Sequence, residues 1–98
     1  MATITTTKIR DYELTILVRE DAPQDVIDGL TKKIKRYGKI TSIEDDGVKR
    51  LCYPIRNQER AHYLFYALEL EDGVQAELAG NLNLNDDIMR YLLVRVSK

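Results

Sequence analysis

The run from His62 to Leu70 constrains the fold more than any other stretch of the chain. In an extended conformation Leu64, Tyr66 and Leu68 point one way and Tyr63, Phe65 and Ala67 the other. A strand with apolar bulk on both faces belongs inside a sheet, with a neighbour on each side. One neighbour is predicted near the N-terminus, where Tyr12, Leu14, Ile16 and Val18 alternate with Glu13, Thr15, Leu17 and Arg19. A last strand is predicted from Ile88 to Val96, rich in branched residues.

Two segments carry helical periodicity. Val26, Ile27, Leu30, Ile34 and Tyr37 recur at helical spacing, with Asp21 placed as an N-cap, Pro23 in the first turn and Gly38 as a left-handed C-cap. Val74, Leu78 and Leu82 recur every fourth residue, with Asp72 placed to cap that helix. Between the first helix and the central strand, Ile40 to Ile43 begins a strand that Glu44-Asp45-Asp46-Gly47 interrupts before Val48, Leu51, Tyr53 and Ile55 resume. Asp-Gly is a hairpin signal, but a glycine bulge within one long strand fits as well. Pro54 suits an edge strand, because proline cannot donate to a ladder.

The order is therefore strand, helix, strand, strand, helix, strand. Two amphipathic helices must bury their stripes on one face of the sheet, and right-handed crossovers favour the split β-α-β arrangement: an α+β, ferredoxin-like β-α-β-β-α-β sandwich with a four-stranded antiparallel sheet and one open face. With 98 residues, 44% hydrophobic and 32% charged, the chain suffices for one such domain, placed at 10–98. Residues 1–9, Thr-rich and apolar-poor, are expected to form a flexible N-terminal segment. No apolar run reaches the length of a membrane helix and no secretory h-region opens the chain, so no membrane association is expected.

Chemistry has few residues to stand on. His62 has no nucleophile or carboxylate at a recognisable motif spacing, and Cys52 lies between Leu51 and Tyr53 with nothing to lower its pKa. The pairs Asp45-Asp46 and Asp86-Asp87 border turns and lack the further ligands of a calcium or magnesium loop. The glycines are dispersed, so no phosphate-cradling loop is present. The segment Arg19-Glu20-Asp21-Ala22-Pro23 is too acidic to cradle an anion as an acylphosphatase-like enzyme of this topology must. Neither enzymatic activity nor a metal or cofactor is expected.

Fifteen Lys and Arg against sixteen Asp and Glu leave a net charge of −1, so any contact with a polyanion depends on where the cations sit. Lys32, Lys33, Lys35 and Arg36 read as a solvated helix face, and no Lys or Arg lies between Ala61 and Met89. Lys8, Arg10, Lys49, Arg50, Arg56, Arg60, Arg90 and Arg95 come from three separate segments. If the last strand pairs with the first, several of them reach one edge and can hold phosphates; dispersed solubilising charge accounts for them equally well.

The run Gly47-Val48-Lys49-Arg50-Leu51-Cys52-Tyr53-Pro54-Ile55-Arg56 resembles the signature of the ribosomal protein six family of the bacterial small subunit. Tyr12-Glu13, the strand from Tyr63 to Leu70 and the closing Ile88-Met89-Arg90-Tyr91-Leu92-Leu93-Val94 resemble the same family in order and spacing, so that the likeness spans residues 10–96. Cys52 departs from the small Ala or Ser usual in that family, and Asn83, Asn85, Asp86 and Asp87 replace a loop that can be basic in relatives.

The resemblance implies a long hairpin turning at about Arg56 to Arg60, with Gly47 an irregularity inside its first strand. It also implies a cytoplasmic, non-enzymatic constituent of the ribosome that binds the central domain of 16S ribosomal RNA together with ribosomal protein eighteen. On that footing Arg10, Lys49, Arg50, Arg56, Arg90 and Arg95 are the candidate RNA-binding residues. Tyr63, Phe65, Leu92 and Val94, on the open sheet face, are the candidate surface for the protein partner; they can stack bases, but the apolar neighbours suit a protein better. The free chain is expected to be monomeric. The alternative is a small-molecule-binding regulatory domain of the same topology, which would oligomerise through the sheet.

Overall fold

A computed structural model describes residues 8–96. Its elements are β1 (Ile9–Arg19), α1 (Gln24–Lys35), β2 (Gly38–Ile55), β3 (Gln58–Glu71), α2 (Val74–Asn83) and β4 (Ile88–Arg95). All strand pairs are antiparallel, in the order β2-β3-β1-β4. The expected architecture is thus present, with β3 interior and Pro54 on an edge strand. Of the expected N-terminal segment, residues 1–7 lie outside the described residues; Ile9 opens β1 opposite Glu71, and the Lys8 carbonyl accepts a hydrogen bond from the Asp72 amide (2.8 Å).

The alternation of β1 and β3 explains the core. Tyr12, Leu14, Ile16 and Val18 line up with Leu68, Tyr66 and Leu64 on one face, where Ile27, Leu30 and Ile34 of α1 and Leu78 and Leu82 of α2 cover them. The Thr31 hydroxyl donates to the Ile27 carbonyl and shares a hydrogen bond with the Tyr66 hydroxyl (3.0 Å), which satisfies the one polar atom Tyr66 brings into this layer. Burial there pushes the Tyr66 phenol above its ordinary pKa.

The three expected caps are differently built. Asp21 lies in a turn closed by the Ala22 amide and the Arg19 carbonyl, too far ahead of the helix; Pro23, extended at φ −68° and ψ 160°, is the N-cap of α1 and makes no side-chain bond. The C-terminus of α1 closes instead with right-handed Arg36 and a Tyr37 amide bonded to Ile34. Gly73, left-handed at φ 96°, takes the cap position expected of Asp72.

Gly38 serves a packing role: a Cβ there would collide with the Glu69 carbonyl oxygen and Leu70 Cδ2, because β2 starts pressed against β3. Gly38→Ala is therefore expected to cost about 1–3 kcal/mol in urea unfolding, through a forced backbone shift. Gly80→Ala, in open space within α2, is expected to add about 0.5–1 kcal/mol. Equal effects at the two sites would contradict this packing.

β2 and β3 form the long hairpin. Gly47, at φ 74°, is a bulge and not a turn: the register slips between Asp45 and Gly47, and the Asp45 carboxylate accepts the Gly47 amide (2.9 Å). The turn itself is Arg56-Asn57, both left-handed at φ 51° and 64°, the geometry of a two-residue primed turn. Since the β1–β3 pairing ends at Arg19 and Ala61, the hairpin beyond Lys49 projects as an arm from a molecule 57 × 28 × 21 Å in extent.

Candidate nucleic-acid interface

The register decides which cations meet. Residues directly opposite in a sheet share a face. Arg90 stands opposite Leu17, and Leu17 opposite Tyr63, so Arg90 lies on the open face near the base of the arm. Lys49, opposite Ala61, is on the same face one rung further out. Arg50 and Arg60 oppose each other on the arm, a like-charge pair that is unfavourable unless an anion lies against it. Arg56 at the tip curls back: it shares an open groove of about 670 Å³ with Met89, Arg90 and the outer side of β4 and α2. This is consistent with Leu51 and Ile55, which pack the arm onto a second small core of Leu17, Ala61 and Met89.

Lys49, Arg50, Arg56 and Arg90 thus gather at the arm end. Arg10 and Arg95 do not join them. Arg95 is opposite Tyr12 and Arg10 opposite Leu70, both on the helix-covered face, and five residues of strand separate the level of Arg95 from that of Arg90, about 17 Å. Arg10 Nε is shielded from solvent without a hydrogen-bond partner. Several of the expected cations do reach one place, as Lys49, Arg50, Arg56 and Arg90, while Arg10 and Arg95 lie at the opposite end of the sheet.

Two cations near the arm end, Lys49 and the further Arg19, are engaged by acids. Arg19 pairs with Asp87 at 2.5 Å, drawing the acidic loop before β4 onto the end of β1. Lys49 Nζ donates to Asp46 (2.9 Å) and lies 5.8 Å from the centre of the Tyr63 ring. The hydrogen bond to Asp46 raises the Lys49 pKa, so the ammonium stays charged.

The four residues expected on the partner surface do share the open face. Phe65 and Leu92 flank Thr15, Ala67 and Val94 flank Glu13, and Tyr63 stacks obliquely on Phe65 with ring centres 6.3 Å apart. Leu92 is 62% and Val94 47% exposed. Away from the arm this face carries Asp11, Glu13, Glu44 and Glu69; toward the arm it carries Lys49 and Arg90. It is therefore apolar in the middle, acidic at one end and basic at the other.

His62 is structural in this arrangement: its Nε2–H donates to Asp45 (2.5 Å) beside the Gly47 bulge. Partial burial works to raise the Asp45 carboxyl, but the bonds from His62 and the Gly47 amide outweigh it and hold the pKa below the ordinary 3.8. A lowered carboxyl stabilises the fold fully above the unfolded value and loses that contribution as pH falls through the lower, folded one. Unfolding free energy should therefore drop below about pH 4, and Asp45→Asn should flatten that limb. An unchanged limb in the variant would assign acid sensitivity elsewhere.

Cys52 is exposed, and among the described residues no group of three or more His, Cys, Asp or Glu is placed to hold a metal ion. No helix among them is long and apolar enough to cross a membrane. Sequence periodicity overlooked Tyr53, which is 81% exposed. The signal was the adjacent Pro54, which marks backbone that departs from the ladder.

The family model described as ribosomal protein S6 matches residues 11–95. Small ribosomal subunit protein bS6 of Geobacter metallireducens is 32% identical over 95 residues, 92% of this chain and 80% of that protein. Its counterpart from Rhodospirillum centenum is 29% identical, over 89% of this chain but 56% of that longer protein, so the chain spans little more than half of it. Among solved structures, 30S ribosomal protein S6 of Thermotoga maritima superposes with a TM-score of 0.81 at 21% identity, over 91% of this chain and 89% of that one. An uncharacterized protein of the same organism shares the fold with a TM-score of 0.61 at 21% identity, covering 92% of this chain and all of that one.

Proposed function

The chain belongs to the ribosomal protein S6 family, and from that premise we propose that it is a structural, non-enzymatic constituent of the small ribosomal subunit that binds the central domain of 16S ribosomal RNA together with ribosomal protein eighteen. The observation that carries this reading is the division of the open face. An apolar strip with Glu13, Glu44 and Glu69 beside it suits a basic protein partner, while Lys49, Arg50, Arg56 and Arg90 at the other end suit a phosphate backbone. Arg10 and Arg95 make a separate phosphate contact at the far end of the sheet.

On this reading a chain with net charge −1 can bind a polyanion. The acidic half is covered by the basic partner, and RNA meets the arm end and the separate Arg10 and Arg95 pair, so local and not total charge sets the affinity. A filter-binding titration tests the reading, with a central-domain fragment of 16S ribosomal RNA and ribosomal protein eighteen present. Affinity should fall steeply with salt, and should fall when the partner is left out. Flat salt dependence would remove the phosphate contacts from the account. The free chain should elute as a monomer in sizing experiments; an obligate dimer whose melting temperature shifts with a small ligand would favour the regulatory-domain alternative.

A further inference from the structure

The outer part of β2 contains an irregularity that the Gly47 bulge does not explain. Arg50 pairs with Arg60 and Ile55 with Gln58, so the four residues Leu51 to Pro54 stand against the single residue Glu59 of β3. An excursion of this size re-aims side chains. Strict alternation would send Leu51, Tyr53 and Ile55 to one side together. Leu51 and Ile55 do pack onto the Leu17, Ala61 and Met89 cluster, yet Tyr53 is 81% exposed. The fold gives up ladder hydrogen bonds on this arm and leaves a large aromatic ring in water.

The residues that bound the excursion point to its ligand. The excursion is bounded by the facing pair Arg50 and Arg60 on one side and by left-handed Arg56 on the other. Glu59 is the one acid opposite the excursion. An exposed aromatic ring on a segment bounded by arginines matches a ligand with a π-face and a phosphate, and an apolar or acidic protein segment offers only part of that match. We propose that Tyr53 stacks on an unpaired RNA base whose neighbouring phosphates are held by Arg50 and Arg60. This rests on the RNA-binding reading above and deepens it: the arm takes single-stranded RNA, a loop, bulge or junction nucleotide, and not a regular duplex, whose bases offer no free face.

The test compares Tyr53→Ala, Tyr53→Leu and Tyr53→Phe in full-length chain, titrated against the central-domain RNA fragment with ribosomal protein eighteen. Because Tyr53 is exposed, all three should keep the wild-type circular dichroism and melting temperature. Tyr53→Ala and Tyr53→Leu should weaken binding roughly 10- to 100-fold, Tyr53→Phe less than about threefold, and the salt slope should stay unchanged in all of them. Wild-type binding with an unaffected Tyr53→Ala would overturn the stacking proposal and leave the RNA-binding reading standing. A Tyr53→Phe loss as large as that of alanine would replace stacking with a hydroxyl contact. Weakened association of Tyr53→Ala with the partner protein in the absence of RNA would make the arm a protein-docking element. Failure of the wild-type chain to bind the RNA at all would overturn both readings.

Discussion

Alanine at Arg50, Arg56 and Arg90 together is expected to weaken binding to the partner-loaded RNA by about 100-fold at low salt. The figure follows from roughly 1 kcal/mol for each solvent-screened phosphate contact, summed over three. The same triple variant should lose about two to three units from the slope of log affinity against log salt, since each abandoned phosphate keeps its counterion. None of the three side chains belongs to either buried cluster, so stability should change little. Alanine at Lys32, Lys33 and Lys35 removes the same charge from the exposed side of α1 and is the matched control; its slope should stay close to wild type. If the two triple variants behave alike, net charge and not the arm governs binding.

The largest expected loss of stability comes from Leu64→Ala. Leu64 is 1% exposed, pairs with Ile16 on β1 and Asp45 on β2, and sits in the cluster that both helices cover. Truncation removes its transfer free energy and leaves a cavity that two paired strands cannot collapse, at a cost of about 2–5 kcal/mol. For a domain of marginal stability that is a large share of the total. The urea midpoint should fall with an unchanged m-value. By contrast Leu92→Ala, on the open face, should be nearly silent in stability and should instead weaken association with the basic partner. A Leu92→Ala loss matching that of Leu64→Ala would mean that the open face is part of the core.

The contrast between these two leucines was legible in the sequence, because period-two alternation assigns whole strands to faces once the helical stripes demand one covered side. The interior position of β3 and the element order followed from the same counting. Gly47 was harder: Asp-Gly obeys the local rule for a hairpin, and only the pairing of β2 with β3 on both sides of it makes it a bulge. The caps were misplaced for a related reason. Asp21, Gly38 and Asp72 are good capping residues, but a cap depends on backbone position to within one residue, and neighbouring turns took those positions for Pro23, Arg36 and Gly73.

The site was legible in its residue types and less so in its grouping. Composition shows which segments carry arginine, but the offset between β1 and β4 determines that Arg90 lies near the arm and Arg95 at the other end. Tyr53 was not legible because alternation through Leu51, Tyr53 and Ile55 holds only where the ladder continues, and the register slips by three residues there.

The central claim is that this sheet works inside the small ribosomal subunit, with one end on RNA and its open face on a protein. Quantitative mass spectrometry of small subunits purified through a high-salt gradient, from cells that make this chain, tests it most directly. One copy per subunit, lost from particles that lack ribosomal protein eighteen, is the expected result. Subunits carrying their other proteins in full but none of this chain would contradict it.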